Sequence, residues 1–329
     1  MSRPGFHRVE DIFLVEDSVE DVPLHPDSRE SFYNRIIVGV KALLKAQGIT
    51  VTIFGAENIP TQGPALMACN HMGYYDFIFV GSSAYSRGRR LVRFMAKKEL
   101  FDIPGARRLL ARMKHIEVDR FAGRSALDRA VASLRDGNLV GIFPEGTTSP
   151  SFELQEFKTG AARIANRADC PLIPMALWGS QRIWAKDLPK RLGRNHFPVW
   201  LKVGEPVVRT GDIHEDTRRL EQAISNLLDE VRAAYEEFNG PFPGGENWRP
   251  ASLGGGAPTS EEAAAKTRAI REKRRLKRAE KEAKKAAKRE RRAARRHRRE
   301  KRRELKFLVA KELSFFEKLK VIYFKWKDS

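Results

Sequence analysis

The chain has 329 residues, 41% of them hydrophobic, enough to bury the core of one large domain or two small ones. Its formal net charge of +20 is uneven: residues 261–306 carry 23 Lys and Arg against 8 Glu, and residues 1–30 carry 3 Arg against 8 acids. Cys69 and Cys170 form no disulfide framework and no zinc-ligand spacing, no run approaches the ~18 apolar residues of a membrane span, and Met1–Asp11 holds no apolar signal core.

Residues 1–30, acidic and broken by Pro4, Pro23 and Pro26, read as a flexible lead-in. Ser31–Gln47 reads as an amphipathic helix, with Ile36, Ile37, Val40, Leu43 and Leu44 on one broad face and Gly48 as its stop. Packing on a core and lying in a bilayer interface both fit that face. From Ile49 strand-like and helix-like runs alternate. Ile49–Phe54, Ala65–Cys69, Val92–Ala96, Leu139–Phe143, Leu172–Leu177 and Val199–Val203 are expected as strands. Tyr75–Ser86, Gly105–Met113, Arg124–Arg135, Thr159–Arg167 and Glu215–Phe238 are expected as helices. The predicted fold is α/β: a single mixed-sheet domain over residues 31–240, flanked by helices, with the amphipathic helix before it and a long basic helical tail after it.

Residues 241–260 form a Pro/Gly-rich linker on this reading. The 261–306 tract has helical propensity and almost no apolar face, so it is a basic helix or a disordered segment. A solvated tail, a surface for anionic phospholipid head groups and a nucleic-acid binder all remain open for it; no interleaved aromatics favour nucleic acid. In 307–329, Leu308, Leu313, Phe316, Leu319, Tyr323 and Trp326 recur at helical spacing, with Lys311, Lys318 and Lys325 on another face. That pattern reads as an amphipathic membrane-interface helix over 307–329; the alternative is a helix that docks on the domain or on a second copy.

Asn70-His71-Met-Gly-Tyr-Tyr-Asp76 sits at a strand-to-helix junction, where α/β folds often place chemistry. Five residues of helix turn through about 500°, so His71 and Asp76 meet only if His71 precedes the helix and Asp76 lies in its first turn. Asp76 would then take the imidazole N–H and leave the other nitrogen as a general base; alternatively it only complements the helix N-terminus. Gly141–Ser149 ends a buried strand in Glu145, followed by Gly146 and the hydroxyls of Thr147, Thr148 and Ser149. Lys97-Lys98 and Asp119-Arg120 follow strands beside His115, as an anionic substrate or plain surface charge would have it.

The series Asn70-His71-x4-Asp76, Ala96–Leu100, Val118–Arg120, Phe143–Ser149, Phe157–Gly160 and Pro171–Gly179 resembles the glycerolipid acyltransferases, most of all the 1-acylglycerol-3-phosphate acyltransferases, over roughly residues 35–240. The Trp248–Thr259 block looks like actinobacterial members. The resemblance implies that His71 is the base, oriented by Asp76, for direct attack of a glycerol hydroxyl on an acyl thioester. It implies substrate-binding roles for Lys97, Arg120, Glu145, Gly146 and Thr147, no metal and no cofactor, and acyl-CoA or acyl-ACP as donor. The implied acceptor is lysophosphatidic acid and the product phosphatidic acid, with glycerol 3-phosphate or a glycolipid hydroxyl as the alternative acceptor. Partners would be the donor (on coenzyme A or acyl carrier protein), the acceptor and an anionic membrane reached through residues 261–329, at the cytoplasmic face. Nucleic acid is not among them. A non-catalytic protein binding membrane or nucleic acid through the tail is the contrasting reading. The His115–Arg120 block departs from the family pattern at Glu117.

Overall fold

The computed structural model describes residues 4–119 and 123–327. Strands β1 (Phe6–Val9), β2 (Phe13–Glu16), β3 (Thr50–Phe54), β4 (Ala65–Cys69), β5 (Val92–Lys97), β6 (Ile116–Val118), β7 (Leu139–Ile142), β8 (Leu172–Trp178) and β9 (Pro198–Val203) form one sheet. Its order is β1-β2-β3-β9-β8-β4-β7-β5-β6. β8 pairs antiparallel with β9, β1 pairs antiparallel with β2, and the remaining neighbours are parallel, so the sheet is mixed.

Alternation along β4 shows how the sheet divides the core. Ala65, Met67 and Cys69 face one apolar cluster, and Leu66 and Ala68 face another, as a period of two demands. A strand buried on both faces reads as a continuous apolar run. Helices α1 (Ser31–Ala46) and α2 (Asp76–Tyr85) cover the first face. A hairpin of α3 (Lys98–Phe101) and α4 (Ala106–Arg112) follows β5. Helices α5 (Gly123–Arg135), α6 (Gly160–Ala168) and α7 (Ile213–Asn239) cover the second face. In α7 the residues Leu220, Ile224, Leu228, Val231 and Tyr235 are buried at three- and four-residue spacing, and Asp212 caps its start by accepting from Glu215 N at 2.7 Å.

Three expectations change. Residues 1–30 are not a flexible lead-in: β1 and β2 extend the sheet, with Phe13 and Val15 buried. The acids of this segment are tied to cations of the domain, Glu10 to Lys41 and Arg89, and Glu30 to Arg93 and Lys114. Residues 241–260 are not a linker either. Trp248 is buried, its ring lies 5.0 Å from that of Phe242, and the Arg182 guanidinium sits 4.6 Å over it. The compact unit therefore runs from residue 1 to Ala263. On α1, Ile36, Ile37, Val40 and Leu44 pack on the core, while Leu43 is exposed.

The second unit begins at Ala264, and its described residues, up to Lys327, belong to one helix, α8 (Ser260–Lys327). The basic tract and the aromatic end are thus a single continuous element, with no break near residue 306. Among the described residues no helix is long and apolar enough to cross a membrane.

Candidate active site

The site lies where the parallel strands end. His71 follows β4, Phe143 and Glu145 follow the neighbouring β7, and Lys97 ends β5, the next strand along. Asn70 fixes the first of these ends: its side chain accepts from Leu177 N at 2.7 Å and donates to Leu177 O at 3.0 Å, pinning the exit of β4 to β8. His71 therefore leaves the sheet on a rigid base.

Asp76 is the first residue of α2 and is fully buried. Its Oδ2 faces His71 Nδ1 at 2.9 Å and accepts from Met72 N at 2.6 Å and Gly73 N at 2.8 Å. A carboxylate partner assigns the proton to Nδ1 and leaves the Nε2 lone pair free. The Oδ1 accepts from Ser180 Oγ at 2.5 Å. A buried carboxylate needs such partners, and here the backbone of the approaching loop supplies two of them. The loop cannot retreat, because Tyr74 N also donates to Trp184 O at 2.9 Å. The side chain of His71 is 18% exposed, and its ring stacks on Phe143 with centroids 4.2 Å apart. Phe143 in turn stacks on Phe94 at 6.3 Å, and Phe94 meets the edge of Phe77 at 6.0 Å.

Glu145, expected among the substrate contacts, lies buried against the backbone of His71. It is 2% exposed, and its Oε1 accepts from His71 N at 2.7 Å while its Oε2 accepts from Gln155 N at 3.2 Å. Burial, with the nearby charge of Asp76 added, pushes its carboxyl up to about 8 against those two N–H groups. Gly146 has φ +70°, which a side chain adopts at a cost, and its N–H bonds Phe143 O at 2.9 Å. Of the hydroxyl residues that follow, Thr147 is half-buried, whereas Thr148 and Ser149 are buried. Ser149 N donates to His71 O at 2.8 Å and its Oγ lies 3.1 Å from Ser151 Oγ, so this segment braces the histidine loop.

Lys97 is half-buried and pairs in register with Val118 of β6. Lys98 is bonded to Asp119 at 3.0 Å. Arg120 lies outside the described residues. The structure thus brings His71, Asp76, Glu145 and Gly146 together and sets Lys97 two strands from β4. Ser180, Asn70 and Phe143 are the participants that sequence reasoning did not single out. The Asn beside His71 was a signal within the quoted motif; Ser180 had none.

The acyltransferase family model matches residues 50–178, a span that holds every one of these groups but Ser180. The 1-acyl-sn-glycerol-3-phosphate acyltransferase of Bacillus subtilis strain 168 is 31% identical over 193 residues, 58% of this chain and 90% of that protein. The protein of the same name from Borreliella burgdorferi is 30% identical over 153 residues, 45% of this chain and 59% of that protein, less than two thirds of its length. A crystal structure of the 1-acyl-sn-glycerophosphate acyltransferase PlsC from Thermotoga maritima superposes with a TM-score of 0.49 at 25% identity, over 63% of this chain and 79% of that chain. A match along nine tenths of the Bacillus relative, with the histidine and its carboxylate inside the matched family span, makes this chain a member of the 1-acyl-sn-glycerol-3-phosphate acyltransferase family.

Proposed function

We propose that the protein transfers an acyl chain from a thioester donor to the free hydroxyl of 1-acyl-glycerol 3-phosphate, giving phosphatidic acid for phospholipid synthesis. The observation that carries the mechanism is the His71 Nδ1 to Asp76 Oδ2 contact of 2.9 Å, which leaves Nε2 available as a base. In this reading Nε2 takes the hydroxyl proton as the oxygen attacks the thioester carbonyl. The C–O bond forms, the C–S bond breaks, and the imidazolium gives the proton to the departing thiolate, which leaves as the free thiol. Asp76 steadies the imidazolium and keeps the ring in one tautomer. A positioned base of this kind is worth about 10²–10⁴ in rate.

Phe143 and Phe77, both packed on the buried Phe94, offer an acyl chain apolar surface beside the imidazole. Lys97, at the neighbouring strand end, and Arg120 are proposed to take the acceptor phosphate, with Gly146 and Thr147 near the glycerol and Glu145 holding the His71 backbone. The donor is carried on coenzyme A or acyl carrier protein, as substrate rather than as a resident cofactor. The acceptor and product are lipids, so the protein works at a membrane surface, which we place at the cytoplasmic face. The basic tract of α8 supplies attraction to anionic lipid, each Lys or Arg near such a surface contributing about 1 kcal/mol.

The test is acyl transfer by purified protein and by His71→Ala, with lysophosphatidic acid and glycerol 3-phosphate as acceptors. Phosphatidic acid from the wild type and a loss of about a hundredfold or more in the variant is expected. Transfer to glycerol 3-phosphate alone would replace the acceptor; an equally active variant would remove the base.

A further inference from the structure

We propose that the α3–α4 hairpin, residues 98–112, is a membrane-contact surface that lays Leu100, Ile103 and Leu109 into the interface of an anionic bilayer beside the active site. The inference rests on the lipid acceptor of the preceding reading and adds to it the surface through which the globular unit meets that lipid.

The hairpin is unusual for a segment so firmly anchored. Phe101 and Met113 are buried and tie its two ends to the domain, and the Arg112 guanidinium lies 3.9 Å over the ring of Phe32 on α1. Beside and between those anchors, Leu100, Ile103 and Leu109 are 45%, 51% and 38% exposed. Single exposed leucines are common on any protein surface; three in ten residues on a held scaffold form a patch. Such a patch in water is unfavourable unless something apolar covers it.

Charge points to the cover. The stretch from Lys98 to Lys114 carries Lys98, Arg107, Arg108, Arg112 and Lys114 against Glu99 and Asp102, a net positive segment even though Lys98 pairs with Asp119, Arg107 with Asp102 and Lys114 with Glu30. Long basic side chains flanking apolar ones are the composition of an interfacial segment, with stems along the apolar zone and heads among phosphates. An acidic protein surface also matches cations, but three apolar side chains beside a site whose acceptor is a lipid fit anionic lipid.

Position ties the patch to the site. The hairpin begins at Lys98, directly after β5, and β5 neighbours the strand that carries Phe143. Phe77 and Tyr74, 44% and 43% exposed, stand on the first turn of α2 and the loop before it. Phe77 meets Phe94, Phe94 stacks on Phe143, and Phe143 stacks on His71. An aromatic row thus runs from the imidazole to an exposed apolar residue at the rim. A lipid leaving a bilayer pressed on that rim would stay in apolar surroundings on its way to Nε2.

Cys69 and Cys170 are both buried, so a cysteine placed at Ile103 can be labelled selectively with a polarity-sensitive fluorophore on the full chain. Phosphatidylcholine vesicles containing phosphatidylglycerol are expected to blue-shift the Ile103→Cys label and leave a label at Glu237→Cys, on α7, unshifted. The combined Leu100→Ser, Ile103→Ser and Leu109→Ser variant is expected to raise KM for lysophosphatidic acid in vesicles at least about tenfold, with kcat on monomeric short-chain lysophosphatidic acid unchanged. A label that does not shift, or an unchanged vesicle KM, overturns the proposal. So does an equal loss on both substrates, which would place the hairpin in the site itself. A shift that depends on protein concentration without lipid, abolished when Leu100→Ser and Leu109→Ser are added to the labelled Ile103→Cys chain, would assign the patch to a second copy of the chain. A wild type inactive on both substrates would sink the acyl-transfer reading, while the label would still decide the hairpin.

Discussion

Ser180 Oγ donates a hydrogen bond of 2.5 Å to Asp76 Oδ1 across 104 residues of sequence. The other carboxylate oxygen is occupied by His71 Nδ1 and by the amides of Met72 and Gly73. Two hands therefore hold the carboxylate, one local and one from the far side of the sheet. Gly179 presents the serine: it has φ +97°, and a Cβ there would meet Pro198 O at 2.4 Å. The turn after β8 can follow this path only with glycine.

Ser180→Ala should lower kcat while leaving KM for both substrates within a small factor. Removing a hydrogen bond to a buried charged group costs about 1.5–3 kcal/mol, roughly tenfold to a hundredfold in rate if the whole of it falls on the imidazolium-bearing state. Steady-state kinetics with an unchanged circular dichroism spectrum would check it. A stable variant with wild-type kcat would show that the three bonds on Oδ2 suffice.

Glu145→Gln tests the buried carboxyl through stability and pH. The folded carboxyl is pushed up to about 8, mainly by burial, from an ordinary 4.5. Between those values the folded chain keeps a proton that the unfolded chain has released. Its contribution is complete below 4.5 and is lost as pH rises toward 8, by up to about 1.4 kcal/mol per pH unit. The variant does not titrate, so its melting temperature should gain on that of the wild type from pH 5 to pH 8. A constant gap would mean that the carboxyl is ionised throughout.

His115 should give the opposite slope. It is lowered to about 4 by burial and by the Arg93 charge, from 6.5, and its Nδ1 accepts from Phe94 N at 3.1 Å. The neutral ring is what the fold uses. Its contribution is complete above 6.5 and is lost as pH falls toward 4, because the unfolded chain takes up the proton first. His115→Gln should lower stability at pH 7 and flatten the acid limb between those values. Urea midpoints at pH 7 and pH 5 decide it; parallel curves would show that His115 is not the titrating group.

The two halves of the site differed in how far they could be read from the chain. His71 and Asp76 are five residues apart, and helix geometry alone says where each must stand to touch. Ser180 meets Asp76 only because β8 lies beside β4, and a Gly-Ser pair in a turn carries no mark of that. Glu145 was legible as a strand-end carboxylate, but its burial against the His71 backbone depends on which side of β7 the loop folds. The strands β1 and β2 are four residues each, too short to show alternation among acids and prolines, and β2 is completed by pairing with β3, far along the chain. In 241–260 glycine and proline dominate the count, while Phe242 and Trp248 carry the packing. Composition weighs residues equally; burial does not.

Ending the chain at Lys306 should separate the two parts of α8. The helix runs unbroken from Ser260 to Lys327, and its last part exposes Leu308, Phe315, Phe316, Leu319, Ile322, Tyr323 and Trp326. Residues 261–306 retain their 23 Lys and Arg against 8 Glu after the cut. If the aromatic end lies in the bilayer interface and the basic tract above it, the truncated protein loses the apolar share and keeps the electrostatic one. Its binding to anionic vesicles should then fall steeply between 50 and 200 mM salt, roughly as screening shortens, whereas the full chain should stay bound at the higher salt. Vesicle co-sedimentation across that range reads the difference. Equal salt dependence in both proteins would show that residues 307–329 do not enter the membrane. Activity on monomeric lysophosphatidic acid should be the same in both, because the compact unit that holds His71 and Asp76 ends at Ala263.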